Sequence, residues 1–265
     1  MEPITVLGAG GWIGAALVED LRRKGRAVLP VGRSNLNDWL SSGDALGPVI
    51  YAIGLTADFR ERPYDTAEAH VGLLSRVLQR PGLSQLLLLS STRVYARSKN
   101  TDEATALPCI SSDPSDLYNL SKLMGEALVL QDPRPELKVV RLSNVVGNGQ
   151  PRSTFVGSLL EEAELSGQVT IKQPASMAKD YVALQDVVRL LPEIVAHGRL
   201  RLYNLGSGRN TTHHEVAAWL ERQGVTVRFA SQGSSCLSFP ELSIRRLSAE
   251  FEPPGAPFLQ TLLEL

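Results

Sequence analysis

The stretch VLGAGGWIGAALVEDL, residues 6–21, predicts how the chain begins to fold. A short apolar run precedes Gly8, Gly11 and Gly14, and a helix with periodic apolar residues follows them. In a strand–turn–helix unit, the first glycine permits a tight turn, the second lets the backbone approach a pyrophosphate, and the third lets helix pack closely on strand. The helix start then directs its unpaired amides at the phosphates. We predict a dinucleotide-binding loop; the alternative is a tight turn without a ligand.

The choice of dinucleotide depends on the end of the second predicted strand, PVGRSN. Many dinucleotide-binding proteins have an Asp or Glu there for the ribose 2′-hydroxyl, whereas this chain has Arg33 followed by Ser34. An arginine pairs with a 2′-phosphate and stacks on adenine, which favours NADP over NAD; the alternative is a surface arginine that starts a loop. The other predicted cofactor-binding residues are Gly10, Trp12 and Ile13 in the glycine loop and Ala52, Ile53 and Gly54 after the third strand.

Short apolar runs alternate with amphipathic stretches along the first half of the chain. This alternation predicts an α/β fold with a Rossmann-type, doubly wound parallel sheet. The interval 33–48 is too short for a complete helix and strand, so the third unit is abbreviated. The predicted strands are Ile4–Leu7, Ala27–Val31, Val49–Ile53, Gln85–Ser90 and Lys138–Leu142, and the predicted helices are Trp12–Lys24, Tyr64–Gln79 and Ser115–Gln131.

The second half of the chain has a looser pattern. We expect residues 1–147 to form the NADP-binding domain, with its sheet completed by parts of 180–225. Residues 148–265 would form a smaller, intertwined substrate-binding region. Its predicted elements are helices at 154–166 and 212–223, strands at 169–171 and 201–205, and a short final helix, Phe258–Leu265.

Bulk properties exclude several classes of function. The formal net charge of −1 gives no general attraction to nucleic acid. Cys109 and Cys236 are too few for a disulfide framework and lie in no metal-ligand spacing, so we expect no metal site. The longest apolar run, 83–91, has the length of a strand, and the opening residues lead directly into a strand. We therefore expect a cytoplasmic protein without a membrane segment.

A second informative stretch is DPSDLYNLSKLMGEAL, residues 113–128, in which Tyr118 and Lys122 share one face of a helix. Most such pairs have no chemical role. Here, however, the fourth predicted strand ends in Ser90, Ser91 and Thr92, at the sheet edge where ligands bind. Ser91 could bond a substrate oxygen beside Tyr118, or merely cap the strand. Lys122, next to Tyr118 and a dinucleotide, would lower the tyrosine pKa from ~10.

Six motifs together resemble the extended short-chain dehydrogenases/reductases, and more narrowly their NAD(P)-dependent epimerase/dehydratase group, which acts on nucleotide-linked sugars. They are GxxGxxG, SSTRVY, YNLSK followed by GE, RLSNVVG, KDYV with QDV, and YNLGSG, and they span residues 3 to about 220. The resemblance implies that Tyr118 is the acid or base, that Lys122 holds the nicotinamide ribose, and that Ser91 is the active-site hydroxyl. It further implies substrate binding by Thr92, which is also the alternative active-site hydroxyl, and by Asn144 near the substrate diphosphate. Lys179 falls where the group often has a phosphate-binding arginine; the alternative is a solvated lysine.

The resemblance also implies a homodimer, formed through the helices at 64–79 and 115–131. Apolar positions on these helices permit the four-helix interface that is typical of the group. They are Leu73, Leu74, Val77, Leu120, Met124 and Leu128.

Three differences between this sequence and the pattern of the group limit which reaction we expect. Its sugar dehydratases carry Asp-Glu after the active-site hydroxyl, whereas this chain has Thr92 and Arg93, so elimination of water is not expected. Arg33 favours NADP, a consumed hydride donor, and the chain is short like the compact sugar 4-ketoreductases. We expect a reductase acting on a keto group of a sugar or nucleotide sugar. The alternatives are an epimerase and a non-catalytic NADP-binding regulatory protein. The charge run 58–62 could touch substrate, but is interpreted as a solvated surface.

Overall fold

A computed structural model describes residues 2–42, 46–55, 58–230 and 239–255. In chain order, the strands in these ranges are β1 (Ile4–Leu7), β2 (Val28–Val31), β3 (Val49–Tyr51), β4 (Leu86–Ser91), β5 (Leu137–Leu142), β6 (Asn144–Val146), β7 (Gln168–Ile171), β8 (Ala178–Ala183), β9 (Leu202–Leu205), β10 (Asn210–Thr212) and β11 (Thr226–Phe229). Six of them form a parallel central sheet in the order β2-β1-β3-β4-β5-β9. This sheet confirms the predicted Rossmann-type α/β class.

The α-helices in the same ranges are α1 (Trp12–Arg23), α2 (Leu36–Ser41), α3 (Pro63–Ala67), α4 (Leu73–Leu78), α5 (Asp116–Gln131), α6 (Phe155–Ser166), α7 (Leu184–His197), α8 (His213–Arg222) and α9 (Arg245–Ser248). The helix predicted at Tyr64–Gln79 is not regular. A π-helical turn, Glu68–Gly72, separates α3 from α4. One further single turn, the 3₁₀ helix Thr92–Tyr95, follows β4 directly.

The sheet order creates a crevice at its carboxyl edge. β1 lies between β2 on one side and β3 on the other. The chain connections after β1 and after β3 therefore lead away from each other. In open α/β sheets, ligands bind at such a switch point. In the described part of the abbreviated third unit the helix is α2, and β3 follows it in the chain. The short β2 lies at the edge of the sheet.

Alternate residues of the strands build two apolar cores, one on each face of the sheet. Leu87 of β4 packs with Leu17 of α1 and Leu191 of α7, whereas Leu88 faces the layer that contains Leu74 of α4. Because side chains alternate across a strand, a sheet that is covered on both faces needs continuous apolar runs. The run LLLL in β4 meets that requirement.

The second half of the chain adds two small sheets and one strand of the central sheet. β8 pairs in parallel with β6 and antiparallel with β10, and β7 pairs in parallel with β11. α6 and α8 pack on these strands through a third apolar core. Because β9 joins the central sheet, the two halves interleave. The domain boundary at residue 147 stays a prediction, and the helix predicted at Phe258–Leu265 lies outside the described residues.

Exposure corrects the residues predicted for a dimer interface. Leu73, Leu74 and Val77 are buried in the monomer core, so they are wrong as contacts between subunits. Leu120 and Met124 of α5, by contrast, are 38% and 54% exposed. The exposed apolar residues on these helices are therefore Leu120, Met124 and Tyr64 of α3. None of the helices in the described ranges combines the length and apolarity needed to cross a bilayer.

Candidate active site

The glycine loop packs as its sequence predicts. Gly8 has φ +89°, and a Cβ there would lie 2.9 Å from the backbone carbonyl of Ala52 at the end of β3. A Cβ at Gly14 would lie 2.2 Å from the Gly8 carbonyl oxygen, so α1 can approach the loop only because this residue is glycine. A Cβ at Gly10, in contrast, would meet nothing within 4 Å. The outer side of the loop is therefore open, and the first amides of α1 lie beside it, as a pyrophosphate requires.

The neighbours of the loop hold it in place. The indole Nε1 of Trp12 donates a hydrogen bond to the carbonyl of Asn148 (2.9 Å), so this side chain links α1 to the loop after β6. The partly buried Ile13 packs against the core of the sheet. Both side chains are thus engaged within the protein, and the binding of the cofactor by Trp12 and Ile13 stays a prediction.

Arg33 lies directly after β2, next to the glycine loop. The Gly8 amide donates to the carbonyl of Val31 (2.9 Å), which joins the two loops. The Asn35 side chain accepts from the Gly32 amide (2.8 Å) and donates to the carbonyl of Pro30 (3.1 Å), which fixes the turn that carries Arg33. Arg33 and Ser34 are exposed. Within the described residues, the Arg33 guanidinium forms no ion pair with an acidic side chain, and its predicted role at a 2′-phosphate stays a prediction.

Ser91 and Tyr118 come together at the carboxyl end of β4. Ser91 is the last residue of β4, Tyr118 lies in the first turn of α5, and a hydrogen bond joins their side chains. Tyr118 is only 4% exposed. Burial raises the pKa of Tyr118, while the Ser91 hydrogen bond and the positive charge of Arg93 oppose that rise. The phenol is therefore protonated at neutral pH and points at the edge where ligands bind.

Lys122 lies one turn after Tyr118, but its ammonium does not bond the phenol. Its Nζ donates to the carbonyl of Leu89 (3.0 Å) and lies 5.8 Å from the centroid of the tyrosine ring. Burial lowers the pKa of Lys122 to about 8, and the nearby Glu126 carboxylate opposes that change. In this structure the groups that oppose the rise in the Tyr118 pKa are the Ser91 hydroxyl and the Arg93 guanidinium. The expected effect of Lys122, which includes a neighbouring dinucleotide, stays a prediction.

His70 is a residue of the site that the sequence did not single out. It lies in the π-helical turn and is buried, with its ring edge-on to Tyr118 at 5.4 Å. Its Nε2 accepts from the amide of Leu55 (3.2 Å), and its Nδ1 bonds the hydroxyl of Ser121 (2.8 Å), which in turn donates to the Tyr118 carbonyl (2.9 Å). Burial and the charge of Lys122 lower the pKa of His70 to about 2. This neutral imidazole joins the loop after β3 to α5.

A buried ion pair fixes α5 on the sheet beneath the site. Arg141 of β5 donates to both carboxylate oxygens of Glu126, and the Ser90 hydroxyl donates to the same carboxylate (2.5 Å). Arg141 also donates to the hydroxyl of Tyr95 (2.7 Å), which donates to the Asn204 side chain (2.9 Å). Such a network holds α5, and hence its catalytic candidates, in one defined position on the sheet, which apolar packing alone specifies less strictly.

The three predicted substrate-binding residues lie on neighbouring segments: β4 pairs Ser91 with Leu142 of β5, so Thr92 and Asn144 follow paired strand ends, and β6 pairs with the β8 strand that carries Lys179. Thr92 begins the 3₁₀ helix beside Ser91. Asn144 of β6 donates its amide to the carbonyl of Asp180 (2.8 Å), and Lys179 of β8 places its ammonium 5.6 Å from the centroid of the Phe155 ring. Asn144 and Lys179 thus lie on adjacent strands of the second half, as the two sides of a substrate region would.

Gly54, the last of the predicted contacts after β3, lies close to the same side chains. A Cβ there would lie 3.0 Å from His70 Nε2 and 3.2 Å from Lys122 Nζ. Gly54 is exposed, whereas Ala52 and Ile53 are partly buried, and both pack against the cores of the sheet. A side chain at Gly54 would therefore crowd His70 and the buried ammonium of Lys122.

Comparisons with known proteins identify the family of the chain. Residues 4–206 match the NAD dependent epimerase/dehydratase family. The ADP-L-glycero-D-manno-heptose-6-epimerase of Pseudomonas aeruginosa strain UCBPP-PA14 is 26% identical over 258 residues, which cover 81% of this chain and 76% of that protein.

Solved structures share the fold at lower identity. RMD from Pseudomonas aeruginosa complexed with NADPH superimposes with a TM-score of 0.81 at 22% identity, covering 99% of this chain and 96% of that one. MoeE5 in complex with UDP-glucose and NAD gives a TM-score of 0.79 at 22% identity, with 98% and 96% covered.

The fold and site define an enzyme of the extended short-chain dehydrogenase/reductase type, which uses a nicotinamide dinucleotide. Within that class, the chain belongs to the NAD dependent epimerase/dehydratase family.

Proposed function

We propose that this enzyme reduces a keto group of a sugar or nucleotide sugar, with NADPH as the hydride donor and Tyr118 as the proton donor. The observation that carries the proposal is the hydrogen-bonded pair of Ser91 and Tyr118, with the ammonium of Lys122 buried beside it. Open dinucleotide-loop amides and a protonated phenol at one crevice are the components that carbonyl reduction needs.

Each side chain has a separate task in this mechanism. When bound, the nicotinamide supplies a hydride. Ser91 would hydrogen-bond the substrate carbonyl and orient it, while Tyr118 donates its proton to the oxygen. The phenolate that remains is stabilised by the Ser91 hydroxyl and the charge of Arg93. Lys122, fixed by the Leu89 carbonyl, would bind the nicotinamide ribose.

NADP is proposed over NAD because of Arg33. Its exposed guanidinium follows the strand that adjoins the glycine loop and has a fixed turn beneath it. The same location in NAD-binding relatives of this fold class holds a carboxylate, which a 2′-phosphate would repel. Elimination of water is not proposed, because Thr92 and Arg93 replace the acid and base that it would use.

The test is the consumption of NADPH by purified protein with a panel of 4-keto nucleotide sugars. We expect Tyr118→Phe to lower turnover by roughly 10²- to 10⁴-fold, the usual contribution of a positioned acid, and to leave NADPH affinity unchanged. Tyr64→Phe, which alters an 88% exposed tyrosine on α3, is the matched control and should retain full turnover. Unchanged turnover of Tyr118→Phe would remove this residue from the mechanism.

Epimerisation is the second candidate, and the similarity to a heptose 6-epimerase favours it. Both reactions need the same acid and hydride chemistry, but an epimerase recycles its cofactor. Net loss of NADPH therefore supports reduction, whereas isomerisation without net loss supports epimerisation.

We further propose a homodimer through the exposed apolar residues Tyr64, Leu120 and Met124. Helices α3 and α5, which carry them, contact each other in the monomer. The cytoplasmic location expected from the cysteine content stays a prediction.

A further inference from the structure

We propose that Arg60 and Arg93 form a recognition site for a carboxylate carried by the reacting part of the substrate, next to Tyr118. The proposal rests on the function proposed above, because it assigns the substrate class of the same site. It predicts an acidic sugar, such as a uronic acid, rather than a neutral one.

Two guanidinium groups converge beside the candidate acid. The Cζ atoms of Arg60 and Arg93 lie 4.4 and 5.4 Å from the centroid of the buried Phe59 ring, which itself lies 5.4 Å from the Tyr118 ring. Arg93 is also 5.9 Å from the centroid of Tyr118. Both arginines reach Ser115 at the start of α5: Arg60 donates to its hydroxyl (3.0 Å) and Arg93 to its carbonyl (3.3 Å). Their positive charges therefore meet at the edge of the site.

In the part of the chain that the structure describes, neither Arg60 nor Arg93 forms an ion pair with a carboxylate. Asp113 and Asp116, whose charges act on Arg93, are both bound directly by Arg97. Within the described residues, the buried Nε of Arg93 has no hydrogen-bond partner. Burial and the neighbouring Arg60 lower the pKa of Arg93, while the charges of Tyr118, Asp116 and Asp113 oppose that change in part. A bound anion would accept a hydrogen bond from the Nε of Arg93 and would offset the cost of burying its charge.

A packing role is the simpler alternative, since arginines often stack on aromatic rings. The neighbouring Arg62 shows what an ordinary surface arginine does in this segment: it pairs with Asp58 and Asp65, and it is half exposed. Arg60 and Arg93 lack such partners among the described residues and face the candidate acid instead. A guanidinium binds a carboxylate through two parallel hydrogen bonds, so a pair of arginines suits this group.

The position favours the sugar over the diphosphate as the source of the anion. The residues predicted near a diphosphate, Asn144 and Lys179, lie on β6 and β8 of the second half. Arg93, by contrast, lies two residues after Ser91, at the candidate catalytic hydroxyl.

The test compares UDP-glucuronic acid with UDP-glucose, which share the nucleotide and the diphosphate and differ in one carboxylate. Calorimetry would measure both with the wild-type protein, with and without NADPH, and with Arg93→Gln, Arg60→Gln and the control Arg62→Gln. We expect the wild type to bind the acid about tenfold more tightly, as one charged hydrogen-bonded contact implies. The preference should disappear in Arg93→Gln, weaken in Arg60→Gln and persist in Arg62→Gln.

Several results would overturn the inference. They are equal affinities in the wild type, no measurable binding of either probe, or a preference that survives Arg93→Gln. If Arg93→Gln weakened the binding of both probes equally, the arginines would be assigned to the diphosphate that the probes share. That result would likewise overturn the inference. Retained NADPH binding by each variant reports correct folding. Failure of the wild type to bind NADPH would instead contradict the function proposed above, so the two failures are distinguishable.

Discussion

At the scale of single residues, spacing along the chain was a good guide to the candidate acid and a poor guide to what surrounds it. Ser91, Tyr118 and Lys122 could be predicted because each follows a strand or shares a helix face. His70 could not, because it approaches the site from a segment about 50 residues away along the chain. Arg60 lies in the charge run 58–62, for which the sequence favours a solvated surface over contact with substrate. The environment that determines the pKa of Tyr118 also depends on the fold: burial raises this pKa, and Ser91 and Arg93 oppose the rise.

His70 predicts how stability depends on pH. Its pKa is about 2 in the folded protein and about 6.5 in the unfolded chain, so only the unfolded form takes up this proton between those values. The free energy of unfolding should therefore fall as the pH drops below about 6.5, with roughly 1.4 kcal/mol per pH unit due to this proton.

Denaturant titrations of wild type and His70→Asn between about pH 6 and pH 4 measure this contribution. The variant should be less stable near neutral pH and show a smaller slope with pH, by about one proton. The exposed His197→Asn is the control and should match the wild type. Identical slopes in wild type and His70→Asn would contradict the burial of a neutral His70.

At the scale of elements, strands and long helices were predictable, and irregular turns were not. The run LLLL and the glycine loop determine β4 and the β1–α1 unit through local chemistry. The π-helical turn that carries His70 has no sequence signature, because its geometry depends on contacts to Leu55 and Ser121. Helix α7 contains Pro192, which interrupts the usual helical pattern and left that stretch unassigned.

The packing of α1 against the glycine loop predicts that Gly14→Ala is destabilising. Alanine favours helix by up to about 1 kcal/mol, but its Cβ would lie 2.2 Å from the Gly8 carbonyl oxygen, and overpacking costs about 1–3 kcal/mol. We expect a net loss in the free energy of unfolding. Gly10→Ala, whose Cβ meets nothing within 4 Å, is the control for stability. Equal stabilities of the two variants would contradict the close packing.

The ion pair between α5 and β5 predicts a strong asymmetry between single and double variants. Glu126→Leu would leave the buried Arg141 unpaired and should cost about 3–5 kcal/mol of unfolding free energy. Adding Arg141→Met should recover most of that loss, because the two charges are then absent together. Thermal or denaturant unfolding of the wild type, Glu126→Leu and the double variant measures these free energies. A double variant that is less stable than Glu126→Leu would show that the pair itself is not the main effect.

At the scale of the whole molecule, the sequence predicted the sheet, its class and a later strand at 201–205, which β9 matches, but not the pairing of the short strands of the second half. β6 and β10 have three residues each, and β8 carries Lys179 and Asp180, so none of them stands out as an apolar run. Burial also separated two kinds of apolar helix position that look alike in sequence: Leu74 belongs to the core, and Met124 is exposed.

The exposed positions predict the oligomeric state. Light scattering should show that the wild-type protein is a dimer. The double variant Leu120→Lys, Met124→Glu should be a folded monomer, because the proposed interface would bury the two introduced charges. Leu165→Lys, on the 80% exposed leucine of α6, is the control and should remain dimeric. A wild-type monomer at every concentration would contradict the dimer and leave the enzyme proposal intact.

The central claim is that the enzyme uses exchangeable NADPH, and the most direct test is a fluorescence titration with NADPH and NADH. Wild type, Arg33→Ala and the control Arg22→Ala, which alters an exposed arginine in the last turn of α1, would be compared. We predict a preference for NADPH that falls roughly 10- to 100-fold in Arg33→Ala and is retained in Arg22→Ala. Tighter binding of NADH, or a cofactor that copurifies and is indifferent to Arg33, would contradict the account.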